Sequence, residues 1–212
     1  ELAPDWVAAF RALLHEGRCE LIGRRYSQVI GPLVPAEVNV ANLRLGLEDY
    51  STHLGVRPRI ALVNEQAYSG GLVPLYLDAG YEAIAMEWNT PAARHPEWPR
   101  TLRDASQRAL GADGRSIGLV WIDTLVFQQL QRYAHGELEL DTYQAFIERR
   151  LPAAGSAPIA LPLYGNDVEI FDFRPGRFHT EAAIDQRGEW LRITHLIDAL
   201  LADPRFELIA PS

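Results

Sequence analysis

Arg59-Ile60-Ala61-Leu62-Val63-Asn64-Glu65-Gln66-Ala67-Tyr68-Ser69-Gly70-Gly71 decides the fold. Residues 60–63 form an apolar, β-branched run of the kind that fills a strand buried on both faces of a parallel sheet. The run stops abruptly at three polar residues, Asn64, Glu65 and Gln66. In α/β sheets and barrels the carboxyl ends of buried strands are where sites assemble. Glu65 is therefore a candidate functional carboxylate, with capping or pairing at a strand end as its structural alternative. Ser69-Gly70-Gly71 turns the chain, and residues 72–79 read as a helix closed by Gly80.

Upstream of this stretch, residues 4–16 carry Trp6, Val7, Phe10, Leu13 and Leu14 at helical spacing, with Gly17 as the stop. Residues 19–22 read as a short strand. The loop 23–35 follows, with Arg24, Arg25, Tyr26, Ser27 and Gln28 in it. Residues 36–54 read as a long helix, ended by Gly55 and Pro58.

Downstream, residues 81–88 read as a strand ending in Glu87 and Trp88, followed by a proline-rich loop to Pro99. Residues 102–110 read as a helix or helical turn. Residues 116–122 form a strand ending in Asp123, which either serves the site or caps the helix at 124–134. A helix at 141–150, with Asp141 as its cap, precedes a linker at 153–157. A strand at 158–163 runs into Tyr164-Gly-Asn-Asp167-Val-Glu169. The last helix lies within 182–201 and the last strand at 206–209.

Alternating strands and helices predict an α/β protein with a parallel sheet and right-handed crossovers. Glu65, Glu87, Asp123 and Asp167 each end a strand. A barrel gathers strand ends at one mouth, whereas an open sheet strings them along an edge, so the pattern favours a barrel. The 212 residues suffice for one such domain.

Composition narrows the ligand. The net charge is −8 and no basic cluster occurs, which argues against nucleic acid and against an anionic membrane surface. Every basic residue is arginine. Cys19 is the single cysteine, so no intrachain disulfide and no thiolate metal cluster can form. The six histidines, at 15, 53, 95, 135, 179 and 195, show neither HxxxH nor HxH spacing. No cofactor is expected. No apolar run approaches the roughly 20 residues that span a bilayer, and no signal peptide is read, which predicts a cytoplasmic protein. The chain opens on Glu1 rather than methionine, which leaves a trimmed leader open. A neutral, hydroxyl-rich ligand such as a carbohydrate suits the acidic surface.

Two carboxylates on separate strands facing one mouth are the apparatus of glycoside hydrolysis: one ionised to attack, the other protonated to assist departure. Glu65 and Asp167 are the best pair, because each ends a strongly apolar strand. Tyr68, Trp88 and Tyr164 lie beside them and offer flat faces for sugar rings. Trp88 is expected to be partly exposed in the mouth. Asn64 or Gln66, flanking Glu65, is expected to donate a hydrogen bond that keeps it charged. A retaining reaction would put the two carboxyl groups about 5–5.5 Å apart.

At these residues the chain resembles glycoside hydrolase family 57. Asn64-Glu65-Gln-Ala-Tyr68, with Gly80-Tyr81 further on, is similar to the family's Trp-(Leu/Pro)-Pro-Glu-x-Ala-Tyr nucleophile region and its later Gly-Tyr. Gly31-Pro-Leu-Val-Pro35 and Arg57-Pro58 resemble the segments before the family's long helix and nucleophile strand. Asn166-Asp167-Val-Glu169-Ile-Phe171 resembles the Asp-x-Glu-x-(Phe/Tyr) motif carrying the general acid. The family's N-terminal histidine motif has no counterpart, Val63 and Asn64 stand where tryptophan and proline are usual, and Asp172-Phe-Arg-Pro replaces the segment after the acid.

The resemblance implies an incomplete or distorted parallel (β/α)7 barrel, a single domain over 1–212 lacking its first strand, and retaining chemistry on an α-glucan. Glu65 would be the nucleophile and Asp167 the acid/base. Asn64, Tyr68, Glu87, Trp88, Tyr164, Glu169 and Arg174 would line the substrate. Two alternatives remain: a metal hydrolase resembling polysaccharide deacetylases, and a glycan-binding barrel without turnover.

Overall fold

The computed structural model describes residues 3–152, 156–163, 165, 171 and 188–211. The chain divides into two compact units. One comprises Glu1–Glu87, Ser106–Trp121 and Ala210–Ser212; the other comprises Trp88–Ala105 and Ile122–Ile209.

The first unit holds the sheet. Its strands are β1 (Ile22–Gly23), β2 (Ile60–Leu62), β3 (Ala83–Glu87), β4 (Gln107–Leu110) and β5 (Ser116–Ile122, whose last residue belongs to the second unit), ordered β1-β2-β3-β5-β4. β1, β2 and β3 run parallel, with Ile22 opposite Ile60 and Ile60 opposite Ala83. The class is α/β, as the alternation predicted, and the five described strands make an incomplete, largely parallel sheet.

β4 departs from that reading. Residues 107–110 lie antiparallel to β5, with Leu110 opposite Ser116, where a helical segment was expected; only Arg100–Leu102 makes a short 3-10 turn. The cause is Asp113-Gly114. Gly114 has φ 83° and folds the chain back as a hairpin, which gives the 107–110 backbone a ladder partner.

Three helices serve this unit: α1 (Pro4–His15), α2 (Ala36–Leu54) and α3 (Val73–Asp78). α2 buries Asn39, Asn42, Leu43, Gly46 and Leu47, one helical face at i, i+3, i+4, i+7 and i+8. Gly55, at φ 69°, ends it in the left-handed conformation that glycine takes without cost, and its N–H donates to Ser51 O. The buried asparagines satisfy backbone that the helix alone would orphan. Asn39 Nδ2 donates to Gly31 O at 2.9 Å and Asn42 Nδ2 to Ser27 O at 2.9 Å, while Asn42 Oδ1 accepts from Ser27 N at 2.7 Å. A Cβ on Gly46 would stand 2.8 Å from Arg24 O, so only glycine lets the loop at 24–28 lie on this helix.

The second unit is helical among its described residues: α4 (Asn89–Arg94), α5 (Thr124–Ala134), α6 (Leu140–Glu148) and α7 (Glu189–Leu201). Leu130, Tyr133, Tyr143, Ile147, Phe171, Leu196 and Leu200 make its core, joined by the half-buried Leu161, Leu163 and Phe206. Leu161, Leu163 and Phe206 supply packing, but neither 158–163 nor 206–209 forms a strand. Pro158 and Pro162 lack the N–H a ladder needs. Phe206 N instead closes a turn onto Asp203 O at 3.1 Å. No helix of the described residues is long and apolar enough to cross a membrane.

Candidate active site

β2 delivers its carboxyl end beside that of β3. Val63 N donates to Ala85 O at 3.1 Å, the last backbone rung between them. The chain then tightens into a 3-10 turn over Asn64–Gln66. Gln66 N donates to Val63 O and Ala67 N to Asn64 O, each at 3.1 Å. Glu65 has φ 54° and ψ 19°, and Gln66 also has φ 54°; they are the only non-glycine residues with positive φ among the described residues. For L-residues that conformation costs about 1–2 kcal/mol each. Strain of this kind persists where the surroundings enforce it, commonly at sites.

The turn lifts the Glu65 side chain into the open while Asn64, behind it, is buried. Gln28 Nε2 donates to Glu65 Oε1. Neither sequence neighbour does so. Asn64 Nδ2 reaches toward Ser27 O at 3.5 Å, and Gln66 Oε1 accepts from Glu87 N at 2.8 Å. The donor to the candidate nucleophile comes from 37 positions upstream.

Gln28 sits there because its loop is fastened on both sides. Ser27 is tied to Asn42 as described, and Tyr26 N donates to Asn42 O at 3.1 Å. The Arg25 guanidinium is buried above the Tyr76 ring, 5.3 Å from its centroid, and a Cβ at Gly31 would collide with it. The run Arg24 to Gln28 after β1 was the sequence signal for this loop; contact with Glu65 is what gives Gln28 a role at the site.

Tyr68 is 37% exposed, and its hydroxyl donates to Leu110 O at 2.9 Å. Burial pushes its phenol pKa up, so the hydroxyl stays a donor. Gly70 O accepts from Ala112 N at 2.8 Å, a second tie to the β4–β5 hairpin. Glu87, at the end of β3, is only 9% exposed.

The expected exposure of Trp88 is corrected. It is 5% exposed, its backbone N–H donates to Ile122 O at 2.8 Å, and its indole packs against Trp98 at 5.9 Å between centroids. Trp88 is a core residue of the second unit. His95 stacks on Trp98 at 4.4 Å and 8°. Asp123 is also structural: its Oδ1 accepts from Leu125 N at 2.9 Å and Val126 N at 3.3 Å, capping α5. Its Oδ2 meets Arg150 and, at 3.4 Å, Arg103. Asp167, Tyr164, Glu169 and Arg174 lie outside the described residues. Among the described residues no group of three or more His, Cys, Asp or Glu side chains could hold a metal ion.

Residues 1–149 match the model of Glycosyl hydrolase family 57. The chain belongs to that family. The match takes in Glu65, Tyr68 and Glu87 and stops short of Asp167.

No curated protein sequence matches the chain significantly. Solved structures share its fold. The 4-alpha-glucanotransferase from Thermococcus litoralis has 19% identity and a TM-score of 0.75 over 99% of this chain and 30% of that one. The alpha-amylase AmyC from Thermotoga maritima has 14% identity and a TM-score of 0.70 over 97% of this chain and 50% of that one. The exo-type maltose-forming amylase from Pyrococcus sp. ST04 has 14% identity and a TM-score of 0.57 over 90% and 30%. The family 57 chain thus spans at most half the length of these three proteins, and at such identities the likeness is one of fold.

Proposed function

We propose that this chain carries the catalytic carboxylates of a retaining glycosidase or transglycosidase acting on an α-glucan. One observation carries the reading: Glu65 is exposed at the carboxyl end of a buried parallel strand, in a strained left-handed turn, with an amide donor on its carboxylate. Family membership supports the reaction class. The names of two fold neighbours, a 4-alpha-glucanotransferase and an alpha-amylase, support the substrate class.

In this reading Glu65 attacks the anomeric carbon. The C–O bond to the leaving group breaks, and the departing oxygen takes the proton of Asp167. Asp167, now ionised, removes a proton from water or a sugar hydroxyl. That oxygen attacks the anomeric carbon and releases Glu65. Two displacements restore the original configuration. Gln28 holds one carboxylate oxygen of Glu65 and so selects the other for attack. Tyr68, Tyr164, Glu169 and Arg174 are proposed to contact the sugar, and the buried Asn64 to back the Glu65 turn.

Chemical rescue tests the roles. With an aryl α-glucoside whose leaving group needs no proton, Asp167→Ala still forms the glycosyl-enzyme, and azide speeds its breakdown to the retained azide. Glu65→Ala forms no such intermediate and yields an inverted azide if any. The reverse pattern exchanges the roles. Glucan binding without turnover in the unaltered protein sinks the catalytic reading in favour of a binding module.

A further inference from the structure

We propose that Gln66 is a positioning residue for Glu65, its side-chain amide replacing a rung of the β2–β3 ladder where β2 turns away. In a parallel pair a residue donates to one partner and accepts from the partner two positions on. Val63 N donates to Ala85 O at 3.1 Å, so Val63 O is due to accept from Glu87 N. It accepts instead from Gln66 N, at 3.1 Å, because the chain has curled back. Glu87 N, on a residue only 9% exposed, donates to Gln66 Oε1 at 2.8 Å.

Gln66 thus takes both halves of the displaced rung: its backbone N–H satisfies the Val63 carbonyl and its side-chain oxygen satisfies the Glu87 amide. Glu65 lies inside that bracket. The turn bonds from Gln66 N and Ala67 N flank it, and the side-chain bond ties the far end of the bracket to β3. Two consecutive left-handed residues are held against their preference by this closure. The side chain must be long enough to reach β3 and must end in an acceptor. Glutamate meets both conditions, asparagine is too short, and methionine reaches without accepting.

The inference rests on the reading of Glu65 as nucleophile, and the test separates the two. Gln66→Met and Gln66→Glu are compared with the unaltered protein by amide hydrogen exchange at Glu87, the backbone carbon shifts of Glu65, and steady-state kinetics on an aryl α-maltoside. In Gln66→Met, Glu87 exchange should rise about tenfold or more and the Glu65 shifts should leave their left-handed values. kcat should fall about a hundredfold, as a misplacement near 1 Å costs, with KM within about threefold. Gln66→Glu should restore both the protection and the shifts. Native protection and shifts in Gln66→Met overturn the proposal, as does lost protection with unchanged kcat. If the unaltered protein turns over no glycoside, the catalytic reading fails on its own, and the exchange and shift arms still decide whether Gln66 holds the Glu65 turn.

Discussion

Asp123→Asn isolates a buried charge from the cap it also provides. Asp123 is 1% exposed, and the Arg150 and Arg103 side chains that meet its Oδ2 are 13% and 15% exposed. Asparagine caps helices about as well as aspartate, so the bonds from Leu125 N and Val126 N survive. The countercharge does not. Arg103 keeps Asp104 at 2.7 Å. Burial already draws the Arg150 guanidinium below the usual arginine value, with Asp123 the largest opposing influence.

Removing one partner of a buried pair costs about 3–5 kcal/mol; because both arginines retain some exposure, we expect about 3 kcal/mol. Asp123→Ala, which also loses the cap, should cost about 1 kcal/mol more. Replacing both partners, Asp123→Asn with Arg150→Met, should recover most of the loss, since an apolar pair of similar volume leaves no stranded charge. Urea unfolding followed by tryptophan fluorescence measures each variant, with an unchanged m-value as the check that the unfolded state is comparable. An Asp123→Asn variant within about 0.5 kcal/mol of the parent would refute the reasoning and reduce Asp123 to a helix cap.

Acid should destabilise the protein through its exposed pairs. Hydrogen bonds from Arg59 hold Glu82 below its ordinary 4.5, and those from Arg115 hold Asp78 and Asp113 below 3.8. Stability from lowered carboxylates is present above the unfolded values and lost as pH falls through the folded ones. Tm should therefore drop below pH 4.5. Arg115→Gln should make that drop shallower, and an identical slope would sink the assignment. In the sheet, a Cβ on Gly118 would meet Ala83 Cβ at 3.0 Å and Glu82 O at 3.1 Å. Gly118→Val should cost about 2–3 kcal/mol by overpacking, measured by the same urea titration, and a more stable variant would contradict the contact.

Much of this architecture was legible because local chemistry and tertiary structure agreed. Residues 36–54 read as a helix and form one, with Gly55 as its stop. The apolar run at 60–63 became β2 and its continuation, and Glu65 stands where its abrupt end put it. Legibility failed where an apolar run could serve two purposes. Residues 158–163 and 206–209 have strand-like composition, yet composition does not say whether a ladder partner exists. Residues 107–110 became a strand because of Asp113-Gly114, downstream of the segment itself.

The site separates local from distant information more sharply. Which carboxylate ends the strand is local and was readable. Which amide supports it is not. Asn64 and Gln66 adjoin Glu65, and spacing made them the natural donors. Neither an extended strand nor the observed turn supports that inference. In an extended strand the side chains of 64 and 66 share one face and that of 65 takes the other. With positive φ at 65 and 66 that alternation no longer holds, and Gln66 turns its acceptor to Glu87 N. The donor to Glu65 then has to come from another element, and Gln28 reaches it only because Asn42, Gly46 and Gly31 let its loop settle onto α2. The strained turn that exposes the carboxylate thus also commits Gln66 to Glu87 N and leaves Glu65 to a donor from another element, so the residue that chemistry singles out in the sequence is the one whose partners the sequence conceals.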